Sequence, residues 1–293
     1  LVDALLEQGA RVTVIDNLTT GKMENLQDAG ARIHFIEGDI RDRGVLQQVV
    51  AGVDVVFHQA AVVSVPLSVA QPLDSAAVNE TGTLEVLEAA RQAGCRRVVL
   101  ASSSAVYGDD PELPKRETMA FGPLSPYAVQ KMTGEYYAGL YTKLYGLETA
   151  CLRYFNVFGP RQDPNSPYAA VIPIFADALL EGRAPVIHGD GEQSRDFTYI
   201  DNVVSANLKA LSAKKLAGEV VNVALGRRTT LNQLYAMLQD VIGTDIPAEY
   251  GPTRAGDVKH SEASIQRAID LLGYGIRSQT LGFLQGVCQR GDA

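Results

Sequence analysis

Tyr127 and Lys131 stand four positions apart in the segment Ser125-Pro126-Tyr127-Ala128-Val129-Gln130-Lys131. A free tyrosine titrates near ~10 and is a poor base at neutral pH. A neighbouring cation favours the phenolate and lowers that value. Upstream lies Ala101-Ser102-Ser103-Ser104-Ala105-Val106-Tyr107-Gly108. A serine hydroxyl both donates and accepts, so it can pass a proton between a substrate hydroxyl and a phenolate. Brought to one point, the phenol, ammonium and hydroxyl make a proton-transfer site. Tyr-x-x-x-Lys alone also describes an ordinary solvated helix face. The serines decide which reading holds, and they do so through the elements around them.

Arg97-Val98-Val99-Leu100-Ala101 is short, apolar and β-branched, which predicts a buried strand ending at the serines. Ser125 is a good N-cap and Pro126 a good first helical residue, so a helix is predicted with Tyr127 and Lys131 on one face. The alternation extends through the first half of the chain. Strands are predicted over 11–15, 32–36, 53–57, 97–101 and 149–154, and helices over 1–8, 41–50 and 74–93. That order implies an α/β fold, a Rossmann-like doubly wound parallel sheet whose ligands lie outside the C-terminal strand ends. Asp16, Asp39, His58 to Ala61 and the serines all fall at such ends. A carboxylate at Asp16 can accept from both ribose hydroxyls of a dinucleotide and repels a 2′-phosphate, which favours NAD over NADP. A simple turn start explains Asp16 equally well. The glycine fingerprint that accompanies such an acid belongs roughly 20 residues earlier, ahead of Leu1.

After Asn156 the pattern changes. Pro160, Pro164 and Pro167 mark a loop. Helices over 171–180, 201–211 and 231–241, a short strand near Val186 and a strand over 220–223 predict a smaller α/β lobe. The expected division is a dinucleotide domain over 1–157 and a substrate lobe over 158–293, with 196–226 returning to the first domain. The chain of 293 residues carries a net charge of −8, which argues against a nucleic-acid partner. No apolar run approaches the ~20 residues of a bilayer span. Cys95, Cys151 and Cys288 show neither disulfide nor zinc spacing. No metal site is expected, and a reducing cytoplasm fits.

With these residues in view, the chain resembles the extended short-chain dehydrogenase/reductases, and within them the NAD-dependent nucleotide-sugar epimerase/dehydratase family. It is most similar to the 4-epimerases of UDP-N-acetylglucosamine and UDP-glucose. The stretches that carry the likeness are 58–61, 64–66, 101–108, 124–131, 153–164, 189–197 and 254–261, and they spread over nearly the whole chain.

The resemblance implies roles. Tyr127 is the catalytic base, Lys131 holds the nicotinamide ribose and lowers the tyrosine's pKa, and Ser103 is the catalytic serine with Ser104 beside it. Asp16, Asn17, Gly21, Asp39, Ile40, Gln59, Ala60, Ala61 and Asn79 match NAD contacts. Ser64, Ser104, Asn156, Ala170, Val171, Val186, His188, Arg195, Arg254, Asp257 and Ser261 match the UDP-sugar site. A homodimer through the Tyr127 helix and the helix before it is implied too. The implied reaction is epimerisation at C4 by transient oxidation. A UDP-glucuronate 4-epimerase or decarboxylase and a non-catalytic nucleotide-sugar-binding relative remain alternatives. Leu67 departs from the arginine that several relatives carry there. The family's first strand and Gly-rich turn do not occur in the sequence, so a fragment of a longer product is expected, with two sheet edges unpaired.

Overall fold

The computed structural model describes residues 1–162, 171–253 and 258–277. The chain runs α1 (Val2–Glu7), β1 (Val12–Asp16), β2 (Ile33–Glu37), α2 (Arg43–Val49), β3 (Val55–His58), α3 (Val65–Ala70), α4 (Pro72–Ala76), α5 (Thr83–Gln92), β4 (Arg97–Ser103), α6 (Pro126–Tyr145) and β5 (Glu148–Tyr154). It continues through β6 (Val157–Phe158), α7 (Val171–Leu180), β7 (Val186–His188), β8 (Ser194–Arg195), β9 (Thr198–Tyr199), α8 (Ile200–Ser212), β10 (Glu219–Val223), β11 (Thr229–Thr230), α9 (Leu231–Ile242), β12 (Glu249–Gly251) and α10 (Gln266–Leu272).

Two compact units share these elements. The first takes Leu1–Val106, Pro123–Arg153 and Ala206–Val221; the second takes Tyr107–Gly122, Tyr154–Ser205 and the described residues from Asn222 onward. The boundary therefore falls before Tyr154 rather than after 157, and the returning stretch is shorter than 196–226. The inclusion of Tyr107–Gly122 in the second unit is marked by no pattern in the sequence. It follows from long-range polar contacts. The Tyr107 hydroxyl donates to Asn222 Oδ1 at 2.7 Å, and the Lys115 amide donates to the Glu262 carbonyl at 2.7 Å. Gly108, at φ +64°, lies so close to Gly122 that a Cβ there would sit 1.8 Å from its carbonyl oxygen.

In the first unit β1 pairs in parallel with β2, and a four-stranded sheet has the order β10-β5-β4-β3. β3 and β4 are parallel, with His58 opposite Leu100. Among the described residues the sheet thus comes in two pieces, and β3 is an edge. The core is an apolar cluster that includes Leu46, Val86, Leu87, Val98, Leu100 and Ala138. At 0% exposure, Leu87 contributes about 2 kcal/mol of apolar burial. Arg97 is also fully buried at the start of β4. It pairs with Glu148 and donates to the carbonyls of Ala210, Leu211 and Ala213, the negative end of α8.

α6 forms where its caps dictate. Ser125 Oγ accepts from the Ala128 amide at 3.2 Å, Pro126 opens the first turn, and Gly146 closes the helix at φ +74°. The helix expected over 74–93 is interrupted. α4 and α5 are joined by a π-helical turn, Ala77–Gly82, within which Asn79 lies. In the second unit Phe158, Ile172, Phe175, Leu179, Leu234 and Leu238 make a separate core. α9 starts on a capping box between Thr230 and Gln233.

Candidate active site

The end of β4 and the start of α6 bring three groups together. Tyr127, on the first turn of α6, is 8% exposed. Ser103, the last residue of β4, is the side chain that acts on its hydroxyl. Ser103 Oγ also accepts from the Ala105 amide at 3.1 Å, which fixes its rotamer. One turn on, Lys131 donates from Nζ to the Ala101 carbonyl at 2.9 Å. Ser104 opens the short 3₁₀ turn Ser104–Tyr107 beside them.

Burial raises the Tyr127 phenol above its ordinary value, and the Ser103 side chain opposes that rise. Burial lowers the Lys131 ammonium to about 8. Burial also lowers His58 to about 3, with Lys131's charge adding to the effect, so His58 is neutral at physiological pH. Its Nε2 lies 2.9 Å from Thr83 Oγ1, whose hydroxyl donates to the Asn79 carbonyl at 2.6 Å.

The residues matched to NAD line up along neighbouring strand ends. Asp16 closes β1, and its Oδ1 accepts from the Leu18 amide at 2.8 Å. Gly21 packs against that carboxylate: a Cβ there would lie 2.8–2.9 Å from both carboxylate oxygens, so only glycine leaves Asp16 in place. Asp39 follows β2. Arg41 grips it with two side-chain hydrogen bonds, at 2.9 and 2.7 Å, and Asn17 donates to it at 3.1 Å. Arg41 holds the Asp39 carboxyl well below the usual range. Ile40 is buried against Gly82. Gln59 and Ala60 are exposed just beyond β3, with Ala61 half-buried next to them. Asn79 accepts from the Val62 amide at 2.8 Å and donates to the Val62 carbonyl at 2.9 Å and to Gln130 at 2.8 Å. Its amide thus clamps the loop that carries Gln59 to Ala61. The strand-end acids, the glycine that cedes its Cβ space and the buried ammonium suit a dinucleotide. Bound NAD would be held by Asp16, Asp39, the Gln59–Ala61 backbone and Lys131.

Ser68 does not stand out in the sequence. It is fully buried, and its Oγ accepts the Tyr127 amide at 3.1 Å while its hydroxyl donates to the Val65 carbonyl. Its signal is its place four residues after Ser64, the N-cap of α3, whose Oγ accepts from the Leu67 amide at 3.0 Å.

In the second unit the sugar-site candidates divide into groups. Asn156 adopts φ +34° and donates to the Asp196 carbonyl at 3.3 Å. Val171 opens α7. Val186 and His188 are the ends of β7, which pairs in parallel with β12, and His188 Nδ1 lies 3.2 Å from the Pro252 carbonyl. Arg195 and Ser261 come together. The Ser261 amide donates to the Ser194 carbonyl at 3.0 Å, while Arg195 donates to the Ser194 and Lys259 carbonyls. Ala170, Arg254 and Asp257 lie outside the described residues, as does Cys288. Cys95 and Cys151 are buried free thiols.

The profile of the NAD dependent epimerase/dehydratase family matches residues 1–224. The chain belongs to that family. Among its relatives, the UDP-glucose 4-epimerase of Mycolicibacterium smegmatis is 40% identical over 280 residues, covering 94% of this chain and 88% of that protein. Of solved structures, the UDP-N-acetylglucosamine 4-epimerase of Methanobrevibacter ruminantium, in complex with UDP-N-acetylmuramic acid, superposes at a TM-score of 0.94. It is 43% identical and covers 98% of this chain and 92% of its own. The UDP-glucose 4-epimerase of Thermotoga maritima with UDP-glucose gives 0.93 at 37% identity, covering 98% and 93%. As an NAD-dependent epimerase-family fold, the first unit is Rossmann-like. Among the described residues no group of three or more His, Cys, Asp or Glu could hold a metal ion.

Proposed function

We propose that this chain is an NAD-dependent 4-epimerase of UDP-hexoses, acting on UDP-N-acetylglucosamine/UDP-N-acetylgalactosamine and on UDP-glucose/UDP-galactose. The observation that carries the reading is the Ser103–Tyr127–Lys131 group at the end of β4, in a member of this family with two 4-epimerases among its close structural matches. Tyr127, as phenolate, takes the proton of the sugar 4-hydroxyl, with Ser103 hydrogen-bonded to both oxygens in turn. NAD, when bound, accepts the C4 hydride and returns it, so it is regenerated in each cycle. The 4-keto sugar turns about its diphosphate linkage and presents its other face. Tyr127 then gives the proton back to the C4 oxygen, and the configuration at C4 is inverted. Lys131 contributes a positive charge beside the phenol and a donor for the nicotinamide ribose. Arg195 suits the diphosphate through its forked guanidinium.

Two finer readings belong with this one. Val129, Tyr136, Leu140 and Leu144 make an exposed apolar stripe at helical spacing along α6. A second copy of the chain covers it in a homodimer. No described helix is long and apolar enough to cross a membrane, which together with the thiols fits a cytoplasmic enzyme.

The test is direct. NAD-loaded enzyme is incubated with UDP-N-acetylglucosamine, UDP-glucose and UDP-glucuronate separately, and the 4-epimers are resolved by chromatography. Interconversion of the first two supports the reading; turnover of UDP-glucuronate alone, or of none, overturns it.

A further inference from the structure

Behind Lys131, α6 carries a second polar side chain on the same face. Glu135 lies one turn further along and is 3% exposed. It reaches two strands of the sheet at once. Its Oε1 accepts from Ser102 Oγ at 2.5 Å, and Ser102 immediately precedes Ser103 on β4. From β5, Arg153 grips it bidentately, Nε to Oε1 at 2.8 Å and Nη2 to Oε2 at 2.7 Å. Arg153 is 2% exposed. A buried ion pair is costly to form and is weak evidence of stabilisation in itself. A pair of apolar residues would brace the core as well. What the acid adds is a directed link between the strand end that bears Ser103 and the helix that bears Tyr127 and Lys131.

We propose that Glu135 is a positioning residue of the epimerase. Through Ser102 it ties the strand end that bears Ser103 to the helix that bears Tyr127, and by pairing with Arg153 it leaves Lys131's charge to act on the phenol and the ribose. This rests on the epimerase reading above. Lys131 and Glu135 share a narrow cavity with Ser102, His58 and Cys151. The titratable or charged groups around Lys131 are therefore Tyr127 and Glu135 on its own helix, His58 on β3, and Cys151 and Arg153 on β5. β4 faces it with the Ala101 carbonyl. A change of charge at position 135 acts on Lys131 across low-dielectric space.

The test uses Glu135→Gln, which keeps an acceptor for Ser102 but removes the carboxylate charge one turn from Lys131. Two quantities are read. One is the Lys131 titration, followed by NMR of ¹³Cε-labelled lysine in substrate-free protein. The other is kcat and KM of the NAD-loaded enzyme across pH. The Lys131 midpoint is expected to fall below its wild-type value by at least about half a pH unit, because the carboxylate near it is gone. kcat is expected to drop about tenfold at unchanged KM, as misplaced reacting groups do. A lowered melting temperature with an unmoved midpoint makes Glu135 a core brace only and overturns the proposal. So does an unchanged kcat. If Glu135→Gln does not fold, Ser102→Ala decides: a kcat loss of at least about threefold at unchanged KM supports the link, and full kcat overturns it. The lysine titration needs no turnover, so an inactive wild type would end the epimerase reading and leave the charge coupling readable.

Discussion

Lys131 Nζ lies 5.9 Å from the centre of the Tyr127 ring, and its hydrogen-bond acceptor is the neutral carbonyl of Ala101. The ammonium is therefore held beside the phenol by an uncharged group, yet the phenol's pKa is raised rather than lowered as expected from Lys131, because burial outweighs the opposing effect of Ser103. Burial works against the charged form of both groups, so neither is an ordinary surface side chain. The arrangement follows from a helix whose first turn is fixed in three ways: by the Ser125 cap, by Pro126 and by the Ser68 hydroxyl at the Tyr127 amide.

Tyr127→Phe removes the proton acceptor and leaves the ring in place. Turnover is expected to fall by about 10²–10⁴-fold, the usual weight of general acid–base catalysis. UDP-sugar affinity, measured by calorimetry, is expected to stay within severalfold. A variant that retains wild-type kcat would remove Tyr127 from the mechanism.

Ser103→Ala tests the side chain that opposes the rise in the Tyr127 pKa. The sign follows from which form the hydroxyl favours. Ser103 donates to the ionised oxygen, so its loss disfavours the phenolate and raises the pKa further. The acid limb of the kcat–pH profile should move to higher pH, with a lower plateau. Movement to lower pH would mean that Ser103 serves the neutral phenol instead.

α6 was legible in the sequence because its signals are local: cap, proline and helical spacing. The strands around it were legible because β3, β4 and β5 are apolar runs. β8, β9 and β11 are only two residues each, too short for any periodicity to register. α3 was hidden because its start signal, Ser64 followed by Pro66, reads equally well as a loop. The π-helical turn at Asn79 is set by a contact 17 residues away in the chain, with Val62, and no local pattern encodes it. The same holds for Glu135 and Ser102, separated by 33 positions. The strand and helix that carry Ser103, Tyr127 and Lys131 were therefore legible, and the groups that hold them were not.

His58 makes the stability of the first unit depend on pH. Its imidazole titrates near 3 in the folded protein against an ordinary 6.5. Above pH 6.5 both states carry it neutral. Below that, the unfolded chain takes up a proton that the folded chain refuses until about 3. The stability present above 6.5 is thus lost as pH falls through that window, about 2 kcal/mol of it by pH 5. Urea unfolding of wild type and His58→Gln at pH 7 and pH 5 checks this: the variant should lose less between the two. Equal losses would mean that His58 is already protonated in the fold.

Asp196 is a hub of the second unit. Its Oδ1 accepts from the Leu225 amide at 2.9 Å, and its Oδ2 from the amides of Gly226 at 3.0 Å and Ala263 at 3.2 Å. The residue is fully buried. Asp196→Asn keeps the size but replaces one acceptor oxygen with a donor. If the amide NH₂ takes the place of Oδ2, it faces two N–H groups and leaves them unsatisfied. The expected cost is about 2–4 kcal/mol, from one to two buried groups left unpaired. Chemical denaturation measures it, and a cost below about 0.5 kcal/mol would mean that water replaces the lost acceptor.

Ser261 bears on the choice of sugar. We propose, from the likeness to the 4-epimerases, that it lies beside the sugar's 2-substituent, where a small residue would leave room for an N-acetyl group and a tyrosine would fill it. The geometry adds a reason that substitution there should act by exclusion. The Ser261 amide is tied to the Ser194 carbonyl at 3.0 Å, and the preceding His260 sits with Nδ1 2.9 Å from Ser194 Oγ. With its backbone pinned to β8, this segment cannot easily retreat to make room for a larger side chain. Ser261→Tyr should therefore lower kcat/KM for UDP-N-acetylglucosamine by about tenfold or more, while UDP-glucose stays within severalfold. Steady-state kinetics on both substrates decides the matter. A parallel fall on both sugars points instead to damage at β8, where Arg195 also sits. No change on either means that Ser261 does not line the pocket.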